Sequence, residues 1–190
     1  VARAAQSVIA DLQESYPQIH FEQAVDYAGP VAENYRGSMM LLLEGAVLAV
    51  VVVLSFLRNW RATFIAAIAL PLSAVPTFAV MHLMGFSLNT VSLLSLSLVV
   101  GVLVDDAIVE IENIERHLLM GKTPLRAAGE AANEIGMAVI ATTLTLVAVF
   151  LPTSLMGGVV GQYFLQFGWT AAVAVLFSLL VARMLTPTMA

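Results

Sequence analysis

Residues 62–104 read ATFIAAIALPLSAVPTFAVMHLMGFSLNTVSLLSLSLVVGVLV, without a single Asp, Glu, Lys or Arg, and residues 135–182 form a second stretch with the same property. A helix rises about 1.5 Å per residue, so a hydrocarbon core about 30 Å thick needs about 20 apolar residues. Each gap therefore holds two crossings joined by a short turn, and a further apolar run precedes Arg58. The expected spans are Met39–Leu57, Thr63–Leu83, Leu88–Ile111, Ile135–Ser154 and Phe164–Thr186. Turns are expected at Arg58–Ala62, Met84–Ser87 and Leu155–Tyr163, with a longer polar link from Glu112 to Glu134. Pro71 and Pro76 interrupt the second span. In a membrane bundle, neighbouring groups can satisfy the carbonyls they free, so kinks are expected rather than breaks.

Composition agrees with this pattern. Of 190 residues, 60% are hydrophobic and 11% charged, against roughly 45–50% and about 25% in an average soluble domain; the mean hydropathy is +0.93. The net charge of −5 offers no basic, aromatic-interleaved surface for nucleic acid. Without cysteine, there is no disulfide framework, thiolate metal site or cysteine nucleophile. The chain starts at Val1 without Met or a basic-then-apolar leader and stops at Ala190 without a polar tail, which reads as an internal piece of a longer protein.

Short cytoplasmic loops collect Lys and Arg. Arg58 and Arg61 follow the first span, Arg116, Lys122 and Arg126 lie between the third and fourth, and Arg183 ends the fifth. The turns 84–87 and 155–163 carry no basic residue. This places loops 58–62 and 112–134 in the cytoplasm and the N-terminal segment outside it, in the periplasm of a bacterium.

Residues 1–38 are different material, with seven of the chain's 21 charged residues. Val8, Ile9 and Leu12 have helical spacing within Ala2–Ser15, Tyr16-Pro17 ends that helix, and Ile19–Val25 has the composition of a strand before a turn at Asp26–Pro30. One helix and one strand bury no core, so the remainder of that domain is expected upstream. Pro30 suits the start of a helix leading toward Met39. The fold class expected is an all-α polytopic membrane bundle of five transmembrane helices (39–190) with a short α/β periplasmic segment (1–38) at its N-terminus.

Asp105 and Asp106 stand within the run SLVVGVLVDDAIVE (residues 97–110). Insertion scales put one Asp at a span centre at about +2.5 to +3.5 kcal/mol, and such residues face a bundle interior and mark ion or proton pathways. Consecutive helical residues point about 100° apart, so the two carboxylates share a depth without sharing a partner. Burial, a neighbouring anion and an approaching cation all act on a carboxylate's proton affinity, so moving one cationic side chain can switch the pair, which titrates as a unit. The alternative is a wetted helix end, with both acids grouped with Glu110, Glu112 and Glu115.

Glu44 is a possible second intramembrane acid, about one turn into the first span, and snorkelling to the interface is the competing reading. Thr142, Thr143 and Thr145 either line a water path or bond their own preceding turn, the latter being the commoner behaviour. His82 reads as interfacial, and the GxxxG of Gly157 and Gly161 falls in or near a turn and carries little weight. The sequence contains no HExxH, P-loop or GxSxG. An aspartyl protease needs two carboxylates facing each other across a water, which adjacent residues on one helix do not supply. No enzyme and no resident metal is expected.

The stretch from Phe86-Ser87-Leu88-Asn89-Thr90 through Asp105-Asp106-Ala107-Ile108-Val109-Glu110 to Glu112-Asn113-Ile114-Glu115-Arg116-His117 resembles the fourth transmembrane helix of resistance-nodulation-cell division (RND) transporters. Residues 56–63 (FLRNWRAT) are similar to the link between that family's second and third helices, Phe150-Leu151-Pro152 with residues 157–161 (GGVVG) to the end of its fifth, and Leu185-Thr186-Pro187 to the end of its sixth. Residues 1–38 correspond to the last part of the first periplasmic porter region. The double Asp is more similar to the hydrophobe and amphiphile (multidrug) efflux branch than to the heavy-metal branch.

The resemblance implies a homotrimeric inner-membrane pump without a cofactor, exchanging protons for exported drugs or other amphiphiles and working with a periplasmic adaptor and an outer-membrane channel. It implies Asp105 and Asp106 as the proton-binding pair, facing a Lys in a second membrane half. The competing class is a non-transporting membrane module of the same architecture, such as a sterol-sensing domain or a protein-export accessory, which has no need for two costly acids in one span.

Overall fold

The computed structural model describes residues 2–21 and 28–189. Its elements are α1 (Ala2–Ser15), α2 (Ala28–Leu57), α3 (Trp60–Leu83), α4 (Thr90–Leu119), α5 (Pro124–Phe150), a 3-10 turn (Leu151–Leu155), α6 (Gly158–Leu180), a π-helical segment (Val181–Leu185) and α7 (Thr186–Met189). Among the described residues there is no strand. Ile19–Phe21 are irregular, and the remainder of the strand expected at Ile19–Val25 lies outside the described residues. The α/β character expected for the N-terminal segment is therefore corrected: what is described there is helical, with α1 ending at Tyr16-Pro17. Proline disfavours helix in the residue before it, which accounts for that end.

The chain divides into two compact units, residues 1–37 and 38–190. In the first, Val8, Ile9 and Leu12 of α1 are exposed. The second contains four of the membrane-length helices and the greater part of the first, from Ser38 to Leu57. Five helical stretches are long and apolar enough to cross a bilayer: Gly29–Leu57, Trp60–Leu83, Thr90–Leu119, Pro124–Leu155 and Gly158–Met189.

Each expected span overlaps one of these stretches, four of them lying wholly inside it, while the third begins at Thr90 rather than Leu88 because Asn89 caps the helix; most of the helices run further than the apolar runs. The polar link expected over 112–134 is largely helical, since α4 continues to Leu119 and α5 begins at Pro124. Only Met120–Thr123 turn the chain. Gly121 takes φ +82°, a left-handed conformation that costs an L side chain energy, and its N–H donates to the Leu118 carbonyl at 2.9 Å. The reason for the extension is packing: Asn113, Ile114 and His117 of α4 and Ala127 and Ala131 of α5 are all buried.

Within the second unit α4 is the centre, with 56% of its apolar window buried against 6% for the helix ending at Leu57. Leu96, Val99, Val100, Leu103 and Val104 of α4 pack with Ala66 and Leu70 of α3 and Ala171, Ala174 and Val175 of α6. Small residues on α3 and α6 let the helix backbones approach, as membrane interfaces require in the absence of a hydrophobic drive between helices. α3 passes through Pro71 and Pro76 without ending, as expected for a bundle helix. Its buried hydroxyls stay within the helix, Ser73 donating to the Ala69 carbonyl and Thr77 to that of Ser73.

The entry to α4 is fixed by a capping box. Asn89 Oδ1 accepts from the Val91 and Ser92 amides at 3.0 Å, and Ser92 Oγ accepts from the Asn89 amide. Asn89 Nδ2 also donates to Gln166 Oε1 of α6 at 2.5 Å, and Ser95 Oγ to the Phe167 carbonyl. These bonds set the register of α4 against α6, on which the arrangement deeper in the bundle depends.

Candidate functional site

The buried face of α4 carries a line of polar side chains. Asp106, Glu110, Asn113 and His117 follow at i, i+4, i+7 and i+11, all of them on the stripe that an α-helix turns to one side, and each is buried. α6, the π segment and α5 supply their partners.

Asp106 Oδ2 accepts a hydrogen bond from Ser178 Oγ of α6 at 2.9 Å, and the same hydroxyl lies 3.1 Å from the Leu103 carbonyl. A serine has one hydroxyl proton, so these two acceptors compete for it. Asp105, the next residue, is exposed and makes no hydrogen bond or ion pair among the described residues. The structure therefore turns Asp106 into the five-helix unit and Asp105 away from it, the divergence that a 100° step per residue dictates.

One turn further along, Glu110 is fully buried, and neither carboxylate oxygen has a hydrogen-bond partner. Its countercharge is Arg183, whose Nη1 lies 3.6 Å from Glu110 Oε2. Arg183 Nη1 also donates to the Ala132 carbonyl of α5. The guanidinium fits because position 136 is glycine: a Cβ there would stand 2.7 Å from Arg183 Nη2. Arg183 itself sits in the π segment Val181–Leu185.

At the far end of the stripe a polar network closes the α4–α5 hairpin. Asn113 Nδ2 donates to the Ala131 carbonyl at 3.0 Å. Arg116 Nη2 meets Glu134 Oε1 at 2.6 Å, and His117 Nε2 lies 2.7 Å from Glu134 Oε2. Lys122 Nζ contacts both His117 Nδ1, at 2.9 Å, and Glu130 Oε2, at 2.5 Å. An ammonium only donates, so Nδ1 is the acceptor and the hydrogen of a neutral His117 sits on Nε2, directed at Glu134.

The remaining sequence candidates are not brought to this stripe. Glu44 is exposed on α2, and His82 is exposed near the end of α3. Thr142 and Thr145 donate within their own helix, to the carbonyls of Val139 and Ala141, while Thr143 is buried with its hydroxyl unpartnered. Gly161 packs against the Met156 carbonyl of the preceding turn, and Gly157 has open space around it, so the close contact made at this GxxxG is local to the turn. Among the described residues no group of three or more His, Asp and Glu side chains is arranged to hold a metal.

Glu110, Arg183 and Ser178 were not singled out from the sequence as parts of one site. Adjacency in the sequence groups Glu110 with Glu112 and Glu115, whereas its helical phase places it with Asp106. The recurrence of Asp106, Glu110, Asn113 and His117 at 4, 3 and 4 residues is the signal that could have found it.

Residues 1–190 match the model of the AcrB/AcrD/AcrF family. The chain is 44% identical over 182 residues to multidrug resistance protein MdtC of Escherichia coli O139:H28, covering 95% of this chain and 18% of that protein. Over the same shares it is 42% identical to MdtC of Pectobacterium atrosepticum and 44% identical to MdtC of Shigella flexneri. The chain thus spans about a fifth of the length of these relatives. With five membrane-length helices, a buried acid in the central one and a family match over its whole length, this multi-pass chain belongs to the AcrB/AcrD/AcrF family of RND transporters.

Proposed function

We propose that this chain is part of a proton-driven inner-membrane efflux transporter that exports drugs or other amphiphilic compounds, with Asp105 and Asp106 as its proton-binding pair. The observation that carries the reading is the placement of Asp106: a buried carboxyl in the middle of the most enclosed helix, whose hydrogen-bond partner is a neutral serine. An acid held in a span at a cost of about 2.5–3.5 kcal/mol has a use there. Reversible protonation is the chemistry that such a group, with a neutral partner on one side, is suited to. Membrane potential supplies the drive, about 2.3 kcal/mol per elementary charge per 100 mV.

α4 runs 13 residues beyond Asp106 to Leu119, which weighs against a wetted helix end. Asp105, turned out of the five-helix unit, is free to meet a cation from elsewhere in the complete protein, in this reading a Lys of a second membrane half. The family match does not favour the non-transporting module. Orientation follows from the basic residues, with segments 58–62 and 112–134 cytoplasmic and residues 1–38 part of a periplasmic porter domain. The complete transporter works as a homotrimer with a periplasmic adaptor and an outer-membrane channel, and substrate binds outside residues 1–190.

The test is dye efflux from cells expressing the complete protein with Asp105→Asn or Asp106→Asn at matched membrane abundance. Energy-dependent efflux is expected to vanish in both. Efflux at the unsubstituted rate in either variant overturns the assignment of that residue, and in both overturns the reading.

A further inference from the structure

Glu110 is the one acidic side chain among the described residues with no exposure at all, and both its oxygens lack a hydrogen-bond donor. It stands one turn from Asp106 on the same face of α4, where Cβ atoms are about 5–6 Å apart. Its countercharge, Arg183, is 25% exposed and reaches it from a π-helical segment. A π turn inserts a residue into the helical ladder and is found most often at functional sites. The ion pair is not closed: at 3.6 Å it is longer than a charge-assisted hydrogen bond, and the guanidinium is held instead by the Ala132 carbonyl.

We infer that Glu110, with Arg183 as its countercharge, is the station through which the proton bound at Asp106 leaves toward the cytoplasmic end of the bundle. This rests on the proton-antiport reading and adds a residue to it. The proton on the Asp106 carboxyl passes, through water or directly, to the Glu110 carboxylate, leaving Asp106 ionised and Glu110 neutral. Glu110 then gives the proton to water and returns to its ionised state facing Arg183. Throughout, Arg183 stays charged and keeps the Ala132 carbonyl, so no unpaired buried cation is created while Glu110 is neutral.

From α5, Glu130 and Glu134 bind Lys122, Arg116 and His117, and Arg126 is exposed. On α4 itself Glu112 is exposed and Glu115 half-buried, whereas Glu110 is fully buried. α3 has no Asp, Glu, Lys or Arg beyond Arg61, its one further titratable group being His82 near its far end; α6 has only Tyr163, exposed near its start, and α7 has no titratable side chain. Asp106 on the same face and Arg183 are the groups set beside Glu110.

The test uses the complete protein in proteoliposomes, with ethidium as the transported probe and an imposed pH gradient. Glu110→Gln is expected to slow gradient-driven ethidium transport about tenfold or more, within the range that a positioned proton-transfer group supplies, and to alter its pH profile; Glu110→Asp is expected to restore most of the rate. Glu110→Gln/Arg183→Gln removes both charges together, so it separates transport from folding. It is expected to insert and melt like the unsubstituted protein and still transport slowly. Transport at the unsubstituted rate and pH profile in Glu110→Gln, or in the double variant should the single one fail to insert, with Asp106→Asn inactive, overturns the inference and makes the pair a structural tie. Full activity of Asp106→Asn overturns the antiport reading along with it.

Discussion

Ser178 Oγ donates to Asp106 Oδ2 at 2.9 Å, joining the centre of α6 to the centre of α4. It is the polar contact that α6 makes with the proposed proton-binding pair, and it sits beside the tightly packed Ala174 and Val175. A change in the charge of Asp106 is therefore felt first at Ser178, because the Leu103 carbonyl is the alternative acceptor for the same proton. A protonated carboxyl needs the serine less than an ionised one does, so loading Asp106 frees Ser178 to turn to Leu103.

Ser178→Ala removes this bond while leaving the helix packing nearly unchanged. A hydrogen bond to a charged group contributes about 1.5–3 kcal/mol, so efflux driven by the proton gradient is expected to fall about tenfold or more. Membrane insertion is expected to stay normal, and Ser178→Thr to retain most of the activity. Dye efflux at matched expression reads this directly, and an unchanged rate in the alanine variant would contradict the role given to the bond.

Gly136 is expected to tolerate a side chain poorly, and only because of Arg183. A Cβ at position 136 would stand 2.7 Å from Nη2 and 3.1 Å from Cζ of a guanidinium that is held at the Ala132 carbonyl. Overpacking of this kind costs about 1–3 kcal/mol, so Gly136→Val should lower the thermal unfolding midpoint in detergent. In an Arg183→Met background most of that loss should disappear, since neighbours in one network are not additive. Equal losses in the two backgrounds would show that the glycine serves something other than the arginine.

A different glycine tests the backbone packing of α6. A Cβ at Gly168 would meet the Phe150 carbonyl and Thr153 Oγ1 at 2.7 Å, and a backbone oxygen has nowhere to move. Gly168→Ala is expected to destabilise by about 1–3 kcal/mol. Gly129, exposed on α5 with open space around it, serves as the control: there alanine should be neutral or gain up to about 1 kcal/mol of helix propensity. Thermal unfolding of the two variants side by side decides it.

The orientation is tested by reporter fusions. A fluorescent protein joined after Gly121 is expected to fluoresce, and alkaline phosphatase joined after Met156 is expected to be active, because the first position lies among basic residues and the second in a turn without any. The opposite pattern would invert the proposed topology and, with it, the direction of proton release.

The number and order of the membrane helices were legible because charge is so costly in hydrocarbon that its absence over 62–104 and 135–182 leaves few alternatives. The length of the α4–α5 hairpin was not, because its residues are polar by composition and buried only through pairing across the hairpin, as Asn113 with Ala131 shows. A similar reason hid Glu110. Composition cannot distinguish an acid that ends a span from one folded inward, and only helical phase, together with Arg183 arriving from 73 residues away, makes the difference. The acids at 105 and 106 were visible as a pair, but their divergence, one toward Ser178 and one outward, depends on the register that Asn89 and Gln166 help to set. The described part of the expected strand, Ile19–Phe21, is irregular; composition was the whole of that argument, with no partner strand in view.

The antiport reading stands or falls on Asp106 as the carrier of the transported proton. The most direct measurement is proton flux in proteoliposomes of the complete protein, with a pH-sensitive dye in the lumen and ethidium added to start transport. The unsubstituted protein should show a change in luminal pH that tracks ethidium movement, and Asp106→Asn should show neither the pH change nor the transport. Coupled proton movement that persists in Asp106→Asn would contradict the account.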